Sequence, residues 1–183
     1  MPKNAVIILA PGYEELEAVA VVDILRRGGV DIKIAAAGMS PVPSARDVKI
    51  EPDITLDQAR TSVFDLIVLP GGIDSTETLA SDKTVVAMLE NQLDNGRLVG
   101  AICAAPTVLD RHGLSKGKVI CCHPVCRDAV RQSTLSEERV IEDGQIITSQ
   151  GPGTALEFAF RLLERLEGKD KAEEVNKGVL AKL

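Results

Sequence analysis

The chain has 183 residues, a formal net charge of -6 and 45% hydrophobic residues, with one tyrosine, three phenylalanines and no tryptophan. This length suits one domain, 1–183, whose core is large enough to fold unaided, while the acidic balance and scarce aromatics argue against nucleic acid as a main partner. No apolar run approaches the roughly 20 residues that cross a bilayer, so no membrane partner is expected, and the start Met1-Pro2-Lys3-Asn4, leading straight into a strand, gives a cytoplasmic location as the expectation.

In chain order, apolar runs occur at Ala5–Ala10, Ile32–Ala37, Phe64–Leu69 and Leu98–Ile102, with Lys33 and Asp65 the charged residues inside them. Each is short, rich in Val and Ile or bounded by Gly, Pro or Asp, as strands buried on both faces are. Helical stretches lie between and after them at Glu14–Arg27, Asp82–Asn95 and Ala104–His112. Such alternation predicts an α/β fold: a mostly parallel central sheet sandwiched between helices on both faces. Gly28-Gly29 and Gly96 mark helix ends, and Thr55 with Gln58, and Thr154 with Glu157, have capping-box spacing. Asp47–Pro52 reads as a short strand beside the second one. Arg139–Thr148 folds back through Asp143-Gly144 as a hairpin, and both segments read as edge decorations. Thr154–Leu166 is a long amphipathic helix whose Leu156, Phe158, Ala159, Phe160, Leu162, Leu163 and Leu166 cover one sheet face, and Lys169–Leu183 is a more charged helix.

Chemistry is sought in the loops after the strands, where open parallel sheets bind ligands. Cys103 stands where a strand gives way to a helix, with small neighbours that allow a tight turn. Helix-terminal amides there favour an anion, which predicts an easily ionised thiol; a buried structural cysteine is the alternative. After the first strand, Glu17 is embedded in Leu16-Glu17-Ala18-Val19-Ala20-Val21-Val22, where apolar surroundings raise a carboxyl pKa and make it a proton donor; a first-turn acid favoured by the helix dipole is the alternative. Glu14 and Glu15 read as first-turn acids favoured by the helix dipole. Gly71-Gly72 after the third strand lets backbone amides approach an oxyanion, or is simply a tight turn. The Lys-Ser/Thr ending of a phosphate loop and the spaced glycines of a dinucleotide site are absent, and no cofactor is expected.

Cysteines at 103, 121, 122 and 126 do not form a secreted disulfide framework in a chain of this length, and they read as free thiols. Cys121-Cys122-His123-Pro124-Val125-Cys126 invites a zinc hypothesis, but no second ligand pair exists, so no metal is expected. His123 reads as a strand-end group near Cys103, either proton-relaying or structural.

Together these residues resemble the DJ-1/ThiJ/PfpI superfamily along essentially the whole chain. The resemblance rests on Leu9-Ala10-Pro11-Gly12-Tyr13-Glu14-Glu15-Leu16-Glu17, Val68-Leu69-Pro70-Gly71-Gly72, Ala101-Ile102-Cys103-Ala104-Ala105-Pro106-Thr107 and Thr148-Ser149-Gln150-Gly151-Pro152-Gly153-Thr154. It implies a flavodoxin-like, Rossmann-like sandwich. Cys103 resembles the family's reactive cysteine, and Glu17 the acid that hydrogen-bonds its thiolate. Gly71, Gly72 and Ala104 match the oxyanion lining, His123 the nearby histidine, and Arg46 an arginine near the site and the dimer contact. A homodimer is implied as well. The protease-like branch has a histidine directly after the cysteine, where this chain has Ala104, so peptidase activity is not expected. The chain resembles instead the protein deglycase branch: cysteine-dependent deglycases and glutathione-independent glyoxalases acting on methylglyoxal or glycated proteins in carbonyl and oxidative stress. Gln150 is similar to the bacterial YajL-like members. A redox-sensing holdase chaperone acting through Cys103 oxidation is the alternative function.

Overall fold

The computed structural model describes residues 2–183. The strands are β1 (Asn4–Leu9), β2 (Asp31–Ala36), β3 (Val42–Pro43), β4 (Lys49–Ile50), β5 (Ile54–Thr55), β6 (Leu66–Leu69), β7 (Leu98–Ile102), β8 (Val119–Ile120), β9 (Thr134–Leu135), β10 (Val140–Asp143) and β11 (Ile146–Ser149). The α-helices are α1 (Glu15–Arg27), α2 (Leu56–Ala59), α3 (Ile73–Ser81), α4 (Lys83–Asp94), α5 (Pro106–Arg111), α6 (Ala155–Glu167) and α7 (Lys169–Val179). Seven strands form the main sheet in the order β10-β11-β7-β6-β1-β2-β5. All its pairings are parallel except β10 with β11, as the alternation of strands and helices predicts.

The continuous apolar strands are two-faced. Ala5, Ile7 and Leu9 of β1 face a core shared with α1 and α6, whereas Val6 and Ile8 face a second core that includes Leu79, Val85 and Leu89 of α3 and α4. Side chains alternate across a strand, so burial on both faces requires apolar residues at every position. Helix α6 buries Phe158, Ala159, Phe160, Leu162, Leu163 and Leu166 against the first face. Gly100 on β7 makes room for it: a Cβ there would lie 3.1 Å from both Leu162 and Phe158.

Several expected details differ. The strand beside β2 is β5, not the 47–52 segment; Lys49–Ile50 pairs antiparallel with Val42–Pro43 in a separate ribbon. The Asp143-Gly144 hairpin forms, but only β10 is an edge, because β11 pairs in parallel with β7 and is buried. Helix α3, between the Gly-Gly turn and α4, is an addition to the expected elements. The capping box at Thr55 and Gln58 is present. The one expected at Thr154 is not, because Thr154 Oγ1 is engaged by Ser149 Oγ at 2.6 Å and Glu157 pairs with Arg139. Leu156 lies on the outer side of α6, 44% exposed.

Phe158 is fully buried at the centre of the α6 contact. Phe158→Ala is expected to cost about 3–5 kcal/mol through lost burial and the cavity left behind, read as a lower urea midpoint at unchanged m-value.

Candidate active site

The site assembles at the carboxyl ends of β1, β6 and β7. After β1 the chain turns to one side of the sheet through β2 and β5; β6 then returns on the other side of β1. Such a reversal opens a crevice between the loops that leave neighbouring strands. Helix α1 begins just after β1 because Glu14 caps it, its carboxylate accepting the Glu17 amide at 3.1 Å. Glu14 is therefore a cap, more specific than the dipole role expected of it. One turn in, Glu17 is fully buried, and its Oε2 accepts the Gly71 amide at 2.7 Å. Its Oε1 is buried without a nitrogen or oxygen partner, and its other hydrogen-bonding neighbour is the thiol of Cys103.

Cys103 directly follows β7 and lies in the left-handed region, with φ at 65°. A non-glycine residue there is strained, and the neighbouring backbone holds it in place. The Cys103 amide donates to Ser149 O at 2.9 Å, and its carbonyl accepts the His123 amide at 2.8 Å. The bend throws the side chain into the crevice, where it is partly exposed. The helix that follows starts only at Pro106, with Ala105 at its N-cap. Cys103 is thus on a strained turn and not at a helix start. The amides facing its sulfur are those of Ala104 and Gly72.

This geometry corrects the expected ionisation. Burial, then the Glu17 charge and its hydrogen bond, push the Cys103 thiol well above the ordinary range, against the downward pull of the Ala104 and Gly72 amides. Burial raises Glu17 from the ordinary 4.5 to about 7 despite the Gly71 amide. Two anions side by side are disfavoured, so around neutrality the pair holds a proton between them. When that proton sits on Glu17, the repulsion is gone, the carboxyl becomes a donor, and the two amides face a thiolate. Only in that arrangement is the sulfur an anion without a second charge beside it.

The Gly71-Gly72 turn permits the close approach. A Cβ on Gly71 would fall 2.5 Å from Cys103 Cβ and 2.7 Å from Glu17 Oε2. One on Gly72, at φ 97°, would fall 2.1 Å from the Gly12 carbonyl. No other residue type fits at either position.

A cavity of about 390 Å³ opens above the sulfur. Of the residues expected at the site, Gly72, Arg46 and His123 line it with Cys103, while Glu17 and Gly71 lie behind the sulfur. Ala104 is buried and contributes its amide. Arg46 arrives on a loop held by the Ala45 amide, which donates to Tyr13 O at 2.8 Å. His123 Nδ1 accepts the Val125 amide at 3.3 Å, which leaves the proton on Nε2. Glu14, Ile73, Asp74, Val125, Cys126 and Pro152 also line the cavity. Of these, Cys126 was visible in the sequence only as part of the zinc cluster. Its neighbour Cys121 points away, its sulfur 3.6 Å from Thr148 Oγ1, and no metal-binding group of three or more His, Cys, Asp or Glu occurs among the described residues. Gln150 stands outside the cavity, tying down the Glu137 and Glu138 carbonyls.

The DJ-1/PfpI family model matches residues 3–165. Protein dj-1beta of Drosophila melanogaster is 43% identical over 98% of both chains. Its crystal structure superposes with a TM-score of 0.97 over 100% of both chains, at 41% identity. A Caenorhabditis elegans protein named glutathione-independent glyoxalase DJR-1.2 is 37% identical over 96% of this chain and 95% of its own. The structure of oxidized DJ-1 from Toxoplasma gondii matches with a TM-score of 0.95 at 32% identity, covering 99% of this chain and 100% of that one.

The raised pKa of Glu17 has a stability signature. A native-state carboxyl that holds its proton to about pH 7 contributes stability that is full below pH 4.5 and is lost as pH rises through 7. Urea unfolding across that window should show wild type losing on the order of 2–3 kcal/mol, with Glu17→Gln removing most of the slope.

Proposed function

The chain belongs to the DJ-1/PfpI family, and we propose that within it this protein is a glutathione-independent glyoxalase and deglycase acting on methylglyoxal and early glycation adducts of proteins. The reading is carried by the pairing of Cys103 with the buried, proton-holding Glu17 at the floor of an open cavity. The name of the nematode relative supports it.

The reaction begins when the Cys103 thiolate attacks the aldehyde carbon of methylglyoxal. The carbonyl oxygen becomes an oxyanion, close to the Gly72 and Ala104 amides that face the sulfur, and takes a proton from Glu17 to give a hemithioacetal. The Glu17 carboxylate then removes the hydrogen on that carbon. Returning a proton to the neighbouring carbon, through an enediol, leaves a thioester on Cys103. Water cleaves it to lactate and regenerates the thiol. Methylglyoxal and one water thus become lactate, with no external redox partner. On a glycated protein the same attack would release the amine and a hydroxy acid. His123, at the cavity wall, would carry protons to and from solvent. Ala104 occupies the position where a cysteine peptidase of the superfamily would carry its base, and no peptidase activity is proposed.

A second reading rests on the same sulfur: oxidation of Cys103 by peroxide, in a redox sensor or holdase. The oxidized state of the Toxoplasma relative supports it. The partial exposure of Cys103 and the two amides facing it would accommodate added oxygen.

We place the protein in the cytoplasm as a homodimer. Leu16 and Val19 of α1, Val48 and Leu156 of α6 are 44–62% exposed and line one groove of about 500 Å³. A contiguous apolar face of this kind is where a second copy would pack by two-fold symmetry.

Purified protein is expected to turn methylglyoxal into lactate without glutathione. Cys103→Ser should fall to background and Glu17→Gln should lose at least ~100-fold in kcat/KM, measured by lactate release. Unchanged turnover in Cys103→Ser would exclude this chemistry. Sedimentation velocity should give a dimer for wild type, shifted toward monomer by Val19→Asp combined with Leu156→Asp, because a buried unpaired carboxylate opposes association.

A further inference from the structure

A second cavity, of about 440 Å³, lies at the opposite end of the sheet from Cys103. Phe64 and Ser62, just before β6, and Arg97, just before β7, form one wall; Lys83, Met88 and Gln92 of α4 form the other. Its charge runs against that of the chain. The protein carries a net charge of -6, yet the lining contains three cations, Arg60, Lys83 and Arg97, and no acid.

Two of these cations are uncommitted. Arg60 pairs with the exposed Asp57 at 2.9 Å, but Lys83 and Arg97 form no ion pair among the described residues. Arg97 is half-buried, and Lys83 occupies the first position of α4, where the helix dipole disfavours a cation. Stability alone does not select either placement. The third observation is Gln92, which is 3% exposed. Its Nε2 donates to Phe64 O at 3.1 Å and to Leu98 O at 3.0 Å, which fixes the amide's orientation. No donor among the described residues reaches its Oε1, which is not sealed from solvent and is free to accept at the cavity wall.

We propose that this cavity binds a small phosphomonoester with a flat ring body, of nucleoside monophosphate size. The phosphate carries up to two negative charges and lies between Arg97 and Lys83, with Arg60 at the rim; guanidinium and ammonium groups are the usual partners of such oxygens. The ring lies on the apolar wall of Phe64 and Met88, and one N–H or O–H of the ring body donates to Gln92 Oε1. The volume falls in the range of small-molecule pockets. Binding here is separate from the thiol chemistry, because none of these residues lines the Cys103 cavity.

Titration of the full-length protein with AMP, followed by amide NMR, tests this directly. The expected result is saturable shifts at Thr84, Met88 and Gln92 with Kd of ~1 mM or tighter. Adenosine, which lacks the phosphate, and inorganic phosphate and ribose 5-phosphate, which lack the ring, should each bind at least ~10-fold more weakly. Lys83→Ala combined with Arg97→Ala should weaken AMP at least ~10-fold while leaving the Cys103-dependent turnover unchanged. No saturation, shifts confined to the Cys103 cavity, phosphate binding as tightly as AMP, or affinity unaltered in the double variant would each overturn the proposal.

Discussion

The hydrogen bond from the Gly71 amide to Glu17 Oε2 ties together the parts on which the chemistry depends. It joins the first turn of α1 to the loop after β6, and Cys103, from the loop after β7, packs against both. A buried carboxylate is costly to desolvate, and one amide offsets only part of that cost. The remainder favours keeping the proton. The same burial that makes Glu17 an expensive residue for the fold thus makes it a donor beside the sulfur. If the acid were exposed it would ionise at ordinary pH, and its charge would suppress the thiolate.

Much of this was legible in the sequence, for identifiable reasons. The four strand runs could be read because burial on both sheet faces demands mostly apolar residues, and Glu17 because an acid among the apolar residues of Leu16–Val22 is anomalous. The Gly71-Gly72 pair could be read because nothing larger fits between two loops in contact. Helix α3 was missed: Ile73-Asp74-Ser75-Thr76 has weak helix propensity, and the segment is held by packing of Leu79 and Ala80 against the sheet. The inner position of β11 was missed because a hairpin signal reports the turn and not which arm pairs with the rest of the sheet.

The ionisation of Cys103 shows a different limit. Local reasoning placed the sulfur at a helix N-terminus and predicted a thiol made acidic by amides. The amides are present, but Gly72 comes from a loop 31 positions away in sequence, and the helix begins two residues later than the local pattern suggests. What governs the proton is the carboxyl of a third element. Electrostatics of this kind belongs to the assembled crevice, and no single segment carries it.

Cys103 is clamped on both sides, its amide to Ser149 and its carbonyl to His123, while its φ stays in the left-handed region. Such a turn has little freedom to swing the sulfur outward. Whatever becomes bonded to that sulfur must therefore be accommodated within the space already present between Gly72, Arg46, His123 and Pro152. The backbone bend thus sets where an adduct is rooted, and the walls of the cavity of about 390 Å³ set how far it can extend.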